Sequence, residues 1–386
     1  MKKVIVGLSG GVDSSVAAML LKGQGYEVIG IFLRNWSYQN EKCHWIEDSI
    51  DAMLVCQQLN IAFHIIDMRI EYKKLVVDYM FKEYSCGRTP NPDVLCNRDI
   101  KFNIFLKQAF SLHAKFIATG HYALCKKNHK NYQLLEGVDK KKDQSYFLCQ
   151  LNQEQLSKSI FPIGKYTKKE VRKKAEEAGL IIAKKKDSQG LCFVGKIRLS
   201  YFLQTKLKCK LGNIIEILFD NPIYQSPIIP FNKKEKGFIS IFTNRRKYNF
   251  GIIIGHHYGA HFFTKGQRKG LRIGGYLECL FVLDTDIENN ILYVGMGVNH
   301  PGLYNSALFI KEENIHWIRE DLTFLQGNKI NVKCRIRYRQ ELQHAKLQRV
   351  KKVLYIVFEK PQKAITEGQF SAWYFKEELI GSGLIC

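Results

Sequence analysis

Short apolar runs alternate with stretches of helical spacing through the first two hundred residues. Lys3 to Leu8 reads as a buried strand, and Val12 to Lys22 carries apolar residues at helical spacing before Gly23 and Gly25. The strand pattern returns at Val28 to Leu33, Phe63 to Met68 and Phe116 to Thr119. The helical pattern returns at Trp45 to Leu59 and Ile100 to Phe110. Such alternation predicts a parallel α/β sheet with helices on both faces. A further helix opens on the capping-box pattern Thr167-Lys168-Lys169-Glu170 and closes at Gly179, with Val171, Ala175 and Ala178 as its core-facing stripe.

Beyond Leu211 the pattern changes. Ile214 to Leu218, Ile252 to Ile254, Leu280 to Leu283, Ile291 to Val294, Ile330 to Arg337 and Val353 to Phe358 read as short strands between Gly, Asn and Asp turns. This predicts small β-barrels or sandwiches. Residues 219–250, with Pro222, Pro227 and Pro230, read as an insertion. Three units are therefore expected: an α/β unit over 1–205, a small β-rich unit over 206–279, and a β-barrel over 280–386.

Composition is ordinary for a globular chain, at 46% hydrophobic and 25% charged residues. No apolar run approaches the roughly 20 residues of a membrane helix, and the N-terminus carries no secretory pattern, so a cytoplasmic protein without a membrane partner is expected. The charge does change the picture. Fifty-nine Lys and Arg against 36 Asp and Glu leave +23, which points to a polyanionic partner. One candidate contact is the alternation of Lys333, Arg335, Arg337 and Arg339 with Val332, Cys334, Ile336 and Tyr338, which in a strand would line four cations on one face. Eleven cysteines without a C-x-x-C argue against a zinc ribbon.

Three polar segments carry candidate chemistry. Ser9-Gly10-Gly11-Val12-Asp13-Ser14-Ser15 joins a strand to a helix, and such a turn offers free N–H groups and a helix dipole to a phosphate. Asp13 would repel a bare phosphate and is expected to hold Mg²⁺ beside a pyrophosphate. The second segment is Gly87 to Asn97. Its two prolines enforce an extended stretch, with Asp93 and Cys96 following just ahead of the helix from Ile100. A thiol there, with Arg88 and Arg98 close by, is expected to be nucleophilic, and Asp93 to move a proton. The third is Lys184 to Gly195, a basic stretch ending in a second thiol, Cys192. Two thiols on mobile loops could pass sulfur through a persulfide and close as a disulfide.

Ser-Gly-Gly-x-Asp-Ser resembles the loop of the ATP-pyrophosphatases, which adenylate a substrate and release pyrophosphate. With the Gly87–Cys96 and Lys184–Gly195 segments, Ala118 to Tyr122, Lys142 to Leu148, Gly266 to Leu271 and Arg337 to Gln340, nearly the whole chain outside 219–250 resembles the tRNA-specific 2-thiouridylase family. The resemblance implies a Rossmann-like, adenine nucleotide alpha hydrolase-like first domain and ATP bound by Gly7, Leu8, Ser9, Gly10, Gly11, Val12, Asp13 and Ser14, with Leu33 and Gly120 also on the nucleotide. It implies Asn91, Pro92 and Asp93 facing the target base, Cys96 as nucleophile and Cys192 as persulfide carrier. His121, Lys142, Asp143, Gln144, Arg337, Tyr338 and Gln369 would touch tRNA.

The expected reaction is ATP-dependent 2-thiolation of the wobble uridine, through an adenylated base. The family also implies tRNAs for Lys, Glu and Gln as partners and a sulfur-relay protein or cysteine desulfurase as donor, and a monomer is expected. Two alternatives stay open: an adenylating ligase of the same loop class acting on RNA or a small carbonyl substrate, and a non-catalytic RNA-binding protein.

Overall fold

The computed structural model describes residues 1–36, 44–187, 199–224, 248, 251–323 and 329–386, with His44 described in its backbone only. Its first unit is a five-stranded sheet, all parallel, in the order Ala62–Asp67, Glu27–Arg34, Lys3–Leu8, Phe116–Ala118, Ser159–Ile160. Val4, Ile5 and Val6 are fully buried, as a strand covered on both faces requires. Val4 and Val6 pack with Ala18 and Leu21 on one face, while Ile5 packs with Val76, Met80 and Phe105 on the other. Strand order reverses direction between Lys3–Leu8 and Phe116–Ala118, and the crevice beyond their carboxyl ends is where open α/β sheets bind ligands.

The second helix is His44–Gln58, and the capping box at Thr167 and Glu170 is formed as the residues predict. One helix differs. The segment expected to become helical only at Ile100 is helical from Pro92: an α-turn over Pro92–Leu95 runs into a π-helical stretch over Cys96–Ile104 and returns to α over Phe105–Ser111. The cause is local. Pro92 is tolerated at the first helical position, and the Asn91 side chain caps the turn by accepting from the Val94 N–H at 3.2 Å.

The central sheet runs Leu280–Asp286, Ile291–Met296, Gly212–Glu216, Ile252–His257, with one parallel pair, Ile291–Met296 against Gly212–Glu216. Two of these strands fall beyond the boundary expected at 279. Leu280, Val282, Leu292 and Val294 bury against Ile214, so they belong with the central unit.

The third sheet is barrel-like. Its order is Tyr304–Lys311, Val353–Lys363, Gln343–Val350, Lys329–Arg335, Phe370–Phe375, Glu378–Leu384, Asn131–Glu136, Ala123–Asn128, with Ile315–Trp317 also on Glu378–Leu384. The last two strands of that order form a hairpin lent by the first unit, joined through Leu135–Glu378 and Leu134–Leu379. Tyr146, Leu148, Phe370, Tyr374 and Leu379 share one core with Cys96 and Phe105, so the first and third units are packed as one body.

Candidate active site

The glycine-rich turn lies at the reversal point of the parallel sheet. Gly11 is the N-cap of helix Val12–Gly23 and supplies no side chain, so the first turn of that helix has no side-chain cap. Ser14 Oγ accepts from the Ser9 N–H at 3.1 Å, and Ser15 Oγ donates to the Gly11 carbonyl at 2.8 Å, which fixes the loop as an open arch. Two glycines are demanded by close approach. Gly10 has φ +69°, and a Cβ there would sit 2.2 Å from the Asp48 carbonyl oxygen. A Cβ on Gly120 would sit 2.6 Å from the Ser14 nitrogen, so the end of strand Phe116–Ala118 is pressed against the loop. Gly7 and Leu8 end the strand that leads into the arch, Val12 lies within it, and Leu33 is the last residue but one of the neighbouring strand Glu27–Arg34.

Asp13 is not an open carboxylate. Its Oδ1 accepts from the Tyr122 hydroxyl at 2.7 Å, and Lys168 Nζ lies 2.8 and 2.9 Å from its two oxygens. Among the described residues no three His, Cys, Asp or Glu side chains gather as metal donors. Lys168 stands against the carboxylate expected to hold Mg²⁺, so an ion arriving with a pyrophosphate would meet Asp13 only after Lys168 moves. Lys168 also reaches Asp187 Oδ1 at 2.8 Å, and Asp187 is held further by Lys142 at 2.9 Å and Arg172 at 2.7 Å. Burial raises the Asp187 carboxyl, but hydrogen bonds from Lys168 and Lys142 outweigh it and hold the group well below the usual carboxylate range.

The second segment meets the other two units. Asn91 Nδ2 donates to Gln369 Oε1 at 3.3 Å, and Gln369 Nε2 donates to the Thr89 and Pro90 carbonyls at 2.9 and 3.2 Å. Thr89 also bonds Thr264 of the central unit at 3.1 Å. Asp93 and Cys96, three apart on one helix, share a face. Burial pushes the Asp93 carboxyl above its usual range, with the Lys101 ammonium drawing it partly back. Lys101 also acts on His121, whose burial holds its ring well below the usual value and so neutral. Lys101 thus lies within electrostatic reach of both Asp93 and the Gly120-His121 turn.

Several expectations need correction. Cys96 is on a helix, not a mobile loop, and is 3% exposed. Arg88 is a bidentate partner of Glu83, and Arg98 of Asp99, so each guanidinium is neutralised beside its own carboxylate. No disulfide joins the described cysteines. Cys192 lies outside the described residues. His121 is buried, with Nδ1 2.7 Å from the Thr119 hydroxyl, and its ring packs among Phe102 and Phe161. Asp143 is buried, accepting from Gly137 N, Ser145 N, the Ser145 hydroxyl and Arg335, so its carboxylate is spent inside the protein. Gln144 accepts from the Tyr122 N–H, and Lys142 is paired with Asp187.

The four-cation face is also broken. Strand Lys329–Arg335 ends before Arg337, and Arg339 has φ +65°. Arg335 is buried between Asp143 and Glu136, at 2.7 and 2.9 Å. Lys333, Arg337 and Arg339 remain exposed. Tyr338 stacks on Phe147 with ring centroids 4.3 Å apart, and the Phe147 carbonyl accepts from Asn97, next to Cys96. Residues missed by sequence reasoning are Lys101, Tyr122, Lys168, Arg172 and Asp187. The nearest signal was the polar density of the Lys168 and Lys184–Asp187 segments.

A parallel sheet with an uncapped, hydroxyl-lined arch at its reversal point defines a nucleotide-binding α/β unit. A family profile described as a tRNA methyl transferase HUP domain matches residues 2–196. A PRC-barrel profile of the same series matches 234–296, and an aminomethyltransferase beta-barrel profile matches 308–385. The chain is 54% identical to the tRNA-specific 2-thiouridylase MnmA of Karelsulcia muelleri, over all of this chain and 98% of that one. It is 53% identical to that of Christiangramia forsetii over the whole of both chains. With that of Bacillus subtilis it shares 40% identity, over 99% of this chain and 94% of the other. The chain belongs to the tRNA-specific 2-thiouridylase family, whose nucleotide loop uses ATP.

Proposed function

We propose that this chain is a tRNA uridine 2-sulfurtransferase. ATP seated on Ser9–Ser15 accepts attack by the C2 oxygen of the wobble uridine on its α-phosphorus, and pyrophosphate leaves. The C2 oxygen, a poor leaving group, then departs with AMP when sulfur adds to C2. The sulfur comes from a persulfide carried by Cys192: the Cys96 thiolate attacks the Cys192 sulfur, a Cys96–Cys192 disulfide forms, and the released hydrosulfide adds to C2. Two equivalents of an external thiol, oxidised to their own disulfide, return both cysteines to thiols. Asp93, whose burial favours its protonated form, carries the proton exchanged during this step.

One observation carries the reading. The helix that bears Asp93 and Cys96 also bears Lys101, whose charge reaches His121, and the adjacent Gly120 backbone touches Ser14 of the nucleotide arch. Activating loop and thiol are thereby linked through one helix and one turn. The surplus of cations and the identity of the full-length relatives support tRNA as the substrate. Arg337, Tyr338 and the Asn91–Gln369 pair are the surface we assign to it, while His121, Asp143 and Gln144 act from beneath as supports. The sulfur source is a relay protein or desulfurase of the cell, and the enzyme works as a monomer on one tRNA.

The test is mass spectrometry of nucleosides from tRNA incubated with the chain, ATP, Mg²⁺ and a persulfide donor. Thiouridine from wild type and none from Cys96→Ser is the expected result. Equal thiouridine from both would remove Cys96 from the mechanism, and pyrophosphate release indifferent to tRNA would favour a ligase.

A further inference from the structure

Lys168 bridges the carboxylate of the nucleotide arch, Asp13, to a second carboxylate, Asp187. It is the first residue of helix Lys168–Glu177, and the Thr167–Glu170 capping box together with its own N–H on Asp139 (2.9 Å) fixes where that helix begins. Its side chain is 13% exposed, and Nζ lies 2.8 Å from Asp13 Oδ1, 2.9 Å from Asp13 Oδ2 and 2.8 Å from Asp187 Oδ1. The two carboxylates are unequally supplied. Among the described residues Asp187 has Lys142 and Arg172 besides, whereas Asp13 has the neutral Tyr122 hydroxyl.

This arrangement solves a problem set by the loop. A carboxylate beside an uncapped helix N-terminus repels the anion that the helix attracts. Lys168 cancels that charge with no metal present. A triphosphate entering the arch presents more negative charge than either carboxylate, and Asp187 can release Lys168 while keeping two other cations.

We propose that Lys168 is a phosphate-binding residue of the nucleotide site. In the nucleotide-free chain Asp13 and Asp187 hold it in reserve, and it keeps Asp13 closed to divalent ions until ATP brings its own. This rests on the reading of Ser9–Ser15 as an ATP loop. Lys168 turns from the carboxylates to the phosphates when ATP binds, so a divalent ion reaches Asp13 only as part of the nucleotide complex.

The experiment uses the full chain and two probes: Mn²⁺ alone, followed by electron paramagnetic resonance, and ATP with and without Mg²⁺, followed by calorimetry. Wild type is expected to bind ATP–Mg²⁺ but not Mn²⁺ alone. Lys168→Met should weaken ATP by about 10- to 100-fold, the loss of one charge-assisted partner, and should bind Mn²⁺ without nucleotide. Lys168→Arg should stay within about threefold of wild type, because it keeps the charge. If Lys168→Met does not fold, Asp187→Asn decides: it releases Lys168 and should tighten ATP by about three- to tenfold. Unchanged ATP affinity in Lys168→Met, unchanged or weaker affinity in Asp187→Asn, or stoichiometric Mn²⁺ on nucleotide-free wild type overturns the proposal. Those results leave the ATP loop standing. A wild type that binds no ATP with Mg²⁺ present removes the loop reading and this proposal with it.

Discussion

Burial and charge at single positions decide what the chemistry can be. Asp93 is raised by desolvation more than Lys101 lowers it, so the folded chain binds its proton more tightly than the unfolded chain. The sign follows: stability from this group is complete below the ordinary carboxylate value of 3.8 and is lost as pH rises through the raised folded value. Asp93→Asn, which cannot ionise, should therefore be more stable than wild type in thermal unfolding at pH 8, with that advantage gone at pH 4. An Asn-minus-Asp difference in Tm that ignores pH would show that burial does not raise the Asp93 carboxyl. The same substitution should cut thiolation by about 10²-fold or more, the usual weight of a positioned proton carrier. Asp93 and Cys96 stand out in the sequence as candidates because their rigid, polar surroundings are local. Their immediate partners do not. Arg88 and Arg98 were read as neighbours of the thiol by sequence distance, but each is claimed by a carboxylate, Glu83 and Asp99, that the fold sets beside it.

At the scale of elements, the apolar runs announced the parallel sheet because buried parallel strands are apolar on both faces and need no partner to be recognised. The hairpin Ala123–Asn128 and Asn131–Glu136 was not announced. Lys126, Lys127 and Asn128 are polar, and the hairpin acquires its meaning through the pairing of Asn131–Glu136 with Glu378–Leu384, far along the chain. The boundary at 279 failed for a related reason: Leu280 and Leu292 find their core against Ile214, which no local pattern can state. The arch is the opposite case, since its glycines are dictated by immediate geometry. Gly120→Ala would place a methyl 2.6 Å from the Ser14 nitrogen. Overpacking of this kind costs about 1–3 kcal/mol, and because the atom in the way is loop backbone, ATP affinity should fall by roughly 10-fold or more. Gly23→Ala, at the end of the same helix with nothing within 4 Å of the new Cβ, is the control and should leave ATP binding unchanged. Equal affinities for the two variants, measured by calorimetry, would mean that the strand end does not brace the loop.

Across the whole molecule, the +23 charge divides into cations that hold the units together and cations left for a partner. Arg335 belongs to the first kind. It sits buried in the third sheet between Glu136 of the lent hairpin and Asp143 of the catalytic unit. Arg337, two residues on, is exposed and donates to the Lys363 carbonyl at 3.1 Å. Removing Arg335 takes the buried guanidinium from Asp143 and leaves Glu136 with Lys140, at 3.0 Å, so Arg335→Met should destabilise the chain by about 3 kcal/mol in denaturant unfolding. Because Arg335 faces inward, the salt dependence of tRNA binding by the folded variant should keep its slope. Arg337→Ala should do the reverse: stability within about 0.5 kcal/mol of wild type, and a plot of log affinity against log salt shallower by about one. The pair separates two roles that one alternating stretch of sequence had merged into a single basic face. An unchanged slope in Arg337→Ala would remove this turn from the tRNA surface. A slope that flattens in Arg335→Met would mean that the buried cation is uncovered when tRNA binds, and that the first and third units part to admit it.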